Sequence, residues 1–202
     1  MRRRTSKEPV ERQRNKLVGI AREGHDMKLY VVRHAAAIAR EGEADDEVRY
    51  LTPRGRESFR LTARRMAKKG ELPDTIITSP LVRAVQTADI LSEALTFRGE
   101  LVASPELAPG FGMANLRRVL ASFKGGESMA LVGHEPDLGE AVGALLDLGR
   151  PLPLKKGMVV CLKMPSAKQK PRASLKWILF EGKKTDVSAL ETDAKQKNSK
   201  RR

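Results

Sequence analysis

Residues 27–34 read Met-Lys-Leu-Tyr-Val-Val-Arg-His, and residues 128–136 read Ser-Met-Ala-Leu-Val-Gly-His-Glu-Pro. In both, a short apolar run stops at a histidine. Apolar runs of this length without polar alternation have the pattern of strands buried on both faces. Such strands belong to parallel sheets whose faces are covered by crossover helices.

Outward from the first run, a polar loop leads to Leu51-Thr-Pro-Arg-Gly55. This predicts a helix entry, with Thr52 as N-cap and Pro53 in the first turn. Phe59, Ala63, Met66 and Ala67 follow at helical spacing, and Gly70 stops the element. Residues 74–78, Asp-Thr-Ile-Ile-Thr, read as a short strand. Ser79-Pro80 repeats the cap-then-proline signature ahead of an apolar stripe at Leu81, Ala84, Val85, Ala88, Leu91 and Leu95. A strand over 100–103, Gly110-Phe-Gly112, a helix over 114–123 and Gly125-Gly126 come next. Pro136 opens a helix reaching about Leu146, and strands over 158–164 and 175–180 close the pattern. This order predicts an α/β fold: a three-layer α/β/α sandwich with a mostly parallel central sheet and an antiparallel edge strand. The expected organisation is a basic polar extension over 1–26, one domain over 27–181 and a basic, disordered tail over 182–202.

Composition narrows the class. With 202 residues and 40% apolar content, the chain can build one medium-sized core. The net charge is +14, and more than half of it lies at the ends: residues 1–26 carry eight Arg or Lys against four acids, and residues 182–202 seven against three. No aromatic residues interleave with those basic ends, so a stacking platform for single-stranded nucleic acid is missing and no specific nucleic-acid partner is expected. The lone cysteine, Cys161, excludes an internal disulfide framework and sits in an apolar run, a core position that fits a reducing, cytoplasmic setting. No apolar stretch is long enough to span a membrane, and the Arg-rich start lacks the apolar core of a secretory signal, so no membrane partner is expected. A monomer is expected.

The chemistry gathers where strands end. Arg33 and His34 follow the first strand, Ser79 and Arg83 the second, and His134 the strand over 128–132. In open α/β sheets the carboxyl ends of parallel strands share one edge, and ligands bind there. Two arginines supply permanently charged forks that can grip phosphate oxygens and the charge that spreads over them during transfer. A neutral imidazole can attack phosphorus, because histidine's ordinary pKa of about 6.5 leaves much of it unprotonated at neutral pH. The three histidines show no close metal-ligand spacing. Cys161 is followed six positions later by Ala167, not arginine, so no phosphocysteine loop is present.

Val31-Val-Arg-His34, Leu51-Thr-x-x-Gly55, Ser79-Pro-x-x-Arg83-x-x-Gln86-Thr87 and Val132-Gly-His-Glu-Pro136, in that order, resemble the histidine phosphatase superfamily, of the phosphoglycerate mutase-like type, and specifically its short SixA-type phosphohistidine phosphatase branch. The resemblance covers about residues 27–180. It implies that His34 becomes transiently phosphorylated, that Arg33, Arg83 and His134 form the phosphate pocket with Ser79 among its substrate contacts, and that no metal or organic cofactor takes part. The implied partner is a phosphorylated protein bearing phosphohistidine, or a small phosphorylated substrate.

Two departures from that pattern matter. Ala35 stands where the family usually has glycine, adding a methyl near the pocket and predicting lower activity. Larger members carry a glutamate that protonates an oxygen leaving group, whereas here Pro109 takes that place and Glu106 lies out of register. A phosphoramidate nitrogen accepts its proton easily, so the lack of a strong acid favours phosphohistidine over alkyl phosphates. The rivals are a phosphatase of small phosphomonoesters and a degenerate phosphate-binding module. Asp45, Asp46 and Arg49, in the loop before Thr52, are read either as a solvated loop or as serving gating or substrate recognition. Gln86 and Thr87 are read as structural, with a phosphate contact as the alternative.

Overall fold

The computed structural model describes residues 26–39, 46–122, 126–165 and 172–187. The expectations for residues 1–25, Asp45, Gly125 and 188–202 lie outside these. Strands β1 (Met27–Arg33), β2 (Thr75–Thr78), β3 (Glu100–Ala103), β4 (Ser128–Gly133), β5 (Val159–Met164), β6 (Ser174–Phe180) and β7 (Lys183–Thr185) form one sheet in the order β3-β2-β4-β1-β5-β6-β7. The helices among the described residues are α1 (Pro53–Lys68), α2 (Val82–Leu95), α3 (Met113–Ser122) and α4 (Asp137–Leu146), with a 3-10 turn at Pro105–Leu107.

Side chains alternate along β1. Leu29 and Val31 enter a core with α3 and α4, while Tyr30 and Val32 enter a second core with α1 and α2. Helices therefore cover both faces, giving the expected three layers. β1, β2, β3 and β4 pair in parallel. The antiparallel part is larger than one edge strand, because β5, β6 and β7 all run against their neighbours. It also continues past residue 181: Glu181 and Gly182 both have positive φ (50° and 72°) and turn the chain into β7. Positive φ at both central residues matches the twist of a tight hairpin. β7 is short and mostly Lys, so by sequence it resembles the tail.

Thr52 caps α1 as expected, accepting from the Gly55 N–H at 3.0 Å, with Pro53 in the first turn. Gly55 is required by a close approach: a Cβ there would lie 2.1 Å from the Ala36 carbonyl oxygen. The Ser79-Pro80 signature behaves differently. α2 starts at Val82 with Leu81 as N-cap and no side-chain cap. α4 begins at Asp137, one residue after Pro136.

Candidate active site

The order β2-β4-β1 places three strand ends side by side. Arg33 pairs with Gly133 and Thr78 with Val132, so His34, His134 and Ser79, each one residue further on, emerge as neighbours at the carboxyl edge. The His34 N–H donates to the Gly133 carbonyl at 3.0 Å and the Ser79 N–H to the Val132 carbonyl at 2.8 Å, continuing the ladder one step beyond the strands. The two imidazole rings end 5.1 Å apart, centroid to centroid, and tilted by 53°.

Each ring has a defined partner. His34 Nδ1 lies 2.7 Å from the Ala35 carbonyl oxygen, which only accepts, so Nδ1 carries the proton and Nε2 keeps its lone pair. His134 Nε2 lies 2.8 Å from Ser79 Oγ. That hydroxyl also accepts from the Leu81 N–H at 3.4 Å and still has a proton to give and a lone pair to offer, so it can partner Nε2 in either tautomer of the ring. His134 Nδ1 is buried and meets no protein partner among the described residues. Ser79, read from sequence as a substrate contact, is fully buried with its hydroxyl engaged by His134. Its route to a substrate runs through that ring.

Both imidazoles are held neutral. Burial pushes His34 down to about 4; the bond to Ala35 opposes this, while Arg83, Arg33 and Lys156 reinforce it. Burial pushes His134 down to about 3, with His34 and Arg83 adding to the effect. Neutral His34 is the form that can act as a nucleophile.

The cations come from three directions. Arg33 is half-buried on β1 and its Nη1 donates to the Leu154 carbonyl at 2.6 Å. Arg83 is buried on the first turn of α2; its Nη1 donates to the Asp46 carbonyl and its Nη2 to Asp46 Oδ2 at 2.9 Å. Arg49 holds the other Asp46 oxygen at 2.8 Å and donates to the Ile38 carbonyl at 3.0 Å. Asp46 is therefore not a free loop residue but the counterion of both arginines. Burial alone would raise its carboxyl, yet the bonds from Arg49 and Arg83 hold it below the usual range.

Lys156 joins the group from the 151–157 loop. Burial and then Arg33, Arg49 and Arg83 lower its ammonium. Sequence reading passed over Lys156, because a lysine between a proline-rich stretch and Gly157 looks like any surface turn. It also missed Glu135, whose carboxylate accepts from the Leu154 N–H at 3.1 Å and so ties α4's approach to that loop. Burial pushes Glu135 up to about 7, Asp137 adding to it and Arg33 opposing it.

The remaining expectations resolve simply. Thr87 accepts from the Ala35 N–H at 3.0 Å and donates to the Arg83 carbonyl at 2.7 Å, and Gln86 accepts from the Leu51 N–H at 2.8 Å, so both brace the site. Ala35 is buried in the apolar cluster with Leu51 and Phe59. Glu106 faces α3, bound to Arg118 at 2.8 Å through both oxygens and to Asn115 at 2.7 Å. Cys161 is core, its thiol pushed up to about 12 by burial. Among the described residues, no group of three His, Cys, Asp or Glu side chains gathers to hold a metal, and no helix is long and apolar enough to cross a membrane.

The chain is similar to several known proteins. The family model of the histidine phosphatase superfamily (branch 1) matches residues 29–109. An uncharacterised protein of Picosynechococcus sp. is 37% identical over 150 residues, covering 70% of this chain and 88% of that protein. The phosphohistidine phosphatase SixA of Escherichia coli is 27% identical over 121 residues, 59% of this chain and 74% of that one. In fold, the chain superposes on the protein histidine phosphatase SixA complexed with tungstate with a TM-score of 0.68 at 22% identity, over 77% of this chain and 97% of that one.

Proposed function

Since this chain belongs to the histidine phosphatase superfamily, in its SixA-type branch, we propose that it is a phosphohistidine phosphatase working through a covalent intermediate on His34. The observation that carries the reading is the pair of neutral imidazoles 5.1 Å apart, one with its Nε2 lone pair uncommitted.

His34 Nε2 attacks phosphorus while the bond from phosphorus to the substrate nitrogen breaks, and that nitrogen takes its proton from solvent. Arg33, Arg83 and the Nδ1–H of His134 bind the three equatorial oxygens, where charge spreads in the transition state. Water then attacks phospho-His34, releasing phosphate and returning His34 to its neutral form. Ser79 serves by its bond to His134 Nε2. A nitrogen leaving group suits a site in which Glu106 is bound to Arg118 and Asp46 is kept ionised. No step calls on a metal or organic cofactor.

The catalytic unit is residues 27–185, acting as a cytoplasmic monomer, with the basic ends as charged appendages. The test incubates wild type and His34→Ala with a phosphohistidine protein and with an aryl phosphate. An acid-labile label should be retained on the wild type alone. Turnover that survives His34→Ala would remove the reading.

A further inference from the structure

A cavity of about 570 Å³ opens beside Arg33, between the start of α1 and the loop over 153–157. Ligand-sized clefts fall in this range. Among the described residues its rim carries Arg33, Arg54, Lys155 and Lys156 against a single acid, Glu181, and Phe180 supplies apolar wall with the buried Phe59 and Leu154 behind it. Arg33 and Lys156 line this cavity, and the charge of both also reaches His34, so a group bound here lies close to that ring.

The walls are fixed to the catalytic strand. The Gly157 N–H donates to the carbonyls of both Arg33 and His34, at 3.1 and 3.0 Å, and the Arg33 N–H to the Met158 carbonyl at 3.1 Å. On the other side, α1 approaches the segment after His34 so closely at Ala36 that only glycine fits at residue 55. Lys155 is further positioned by stacking its ammonium 5.1 Å over the Phe180 ring. A group bound in this cleft is therefore held at a set distance from the His34 nucleophile.

Resting on the phosphohistidine reading, we infer that this cleft recognises the substrate protein itself: it takes an acidic, partly apolar segment flanking the phosphorylated histidine. A free phosphate ester needs only the hollow and leaves the cleft empty. A net positive rim over an apolar wall is complementary to Asp and Glu side chains interspersed with apolar ones.

The experiment uses the full chain and two synthetic peptides phosphorylated on a central histidine, one with Asp and Glu flanks and one with Lys flanks. The expected result is about a tenfold preference in kcat/KM for the acidic peptide, expressed in KM and shrinking with added salt. In Arg54→Glu/Lys155→Glu, which leaves the residues around His34 untouched, the preference should vanish while kcat/KM for an aryl phosphate stays within twofold. Equal use of both peptides, or a preference that survives the double reversal, overturns the inference while leaving the phosphatase reading intact. Independently of turnover, anisotropy with unphosphorylated fluorescent versions of the two peptides should show tighter binding of the acidic one to wild type. No binding difference, or an oligonucleotide binding through Arg54 and Lys155 in place of the acidic peptide, overturns it as well. If neither peptide is dephosphorylated and no His34 label forms, it is the phosphohistidine reading that has failed.

Discussion

Replacing Asp46 by asparagine should make the protein bind phosphate more tightly. Asp46 places a carboxylate oxygen 2.9 Å from Arg83 Nη2 and its other oxygen 2.8 Å from Arg49 Nη1. In the proposed mechanism an incoming phosphoryl group takes the same Arg83 fork, so it meets a negative charge already in place. Two unit charges about 5 Å apart repel by about 1–3 kcal/mol for an effective dielectric between bulk water and a protein surface. Asp46 is partly exposed, with 27% of its side chain accessible, so the lower end of that range applies. Asparagine keeps the shape and an oxygen acceptor while removing the charge. About 1.4 kcal/mol of relief is a tenfold change in affinity. The inhibition constant of inorganic phosphate against aryl phosphate hydrolysis should therefore fall about tenfold, with a stability loss of about 1 kcal/mol in urea melts because Arg83 and Arg49 lose their counterion. An unchanged or weaker inhibition constant would refute the reasoning and show that Asp46 orients Arg83 for phosphate instead of competing with it.

The acid limb of kcat/KM on an aryl phosphate should carry an enzyme ionisation near 4, where free His34 takes a proton; assignment of that ionisation to the ordinary imidazole value, after correction for the substrate's own, would contradict the burial argument. Stability carries the same sign: the folded values of His34 and His134 (about 4 and 3) lie below the unfolded value of about 6.5. The unfolded chain thus binds more protons in that window, and chemical denaturation midpoints should drop as pH falls from about 6.5 toward 4 and level only near 3. Ser79→Ala removes the hydroxyl bonded to His134 Nε2 and should lower kcat by about 10- to 100-fold with KM little changed, an effect that Ser79→Thr, which retains the hydroxyl, should partly restore. Gly55→Ala drives a methyl into the Ala36 carbonyl at 2.1 Å, backbone against backbone, and should cost about 3 kcal/mol or more by thermal or urea melting; a near-neutral result would mean that α1 does not press on that segment.

Much of the candidate site is legible in the sequence. Local patterning marked β1 and β4 as buried strands, and the general rule for parallel sheets placed His34 and His134 on one edge. The cap at Thr52 was readable because a hydroxyl, a proline and a glycine at that spacing satisfy a helix start with local atoms alone. The same signature misled at Ser79-Pro80. There the hydroxyl had a better partner, the ring of His134, 55 positions away in sequence. β7 went unread because charged three-residue strands carry no periodicity.

The chain's own chemistry thus determined the layered architecture and the strand ends that carry the cations and imidazoles, since each follows from residue types and short spacings. Tertiary structure alone decided the electrical and protonic state of the site: that burial lowers both imidazoles, that the Ala35 carbonyl and the Ser79 hydroxyl bond to them, that Asp46 occupies Arg83, and that Lys156 and a cationic cleft stand beside Arg33. The reason is physical. Secondary structure is written in contacts a few residues apart, whereas protonation, charge pairing and shape depend on which distant groups share a region of low dielectric, and only the packed sheet brings those groups together.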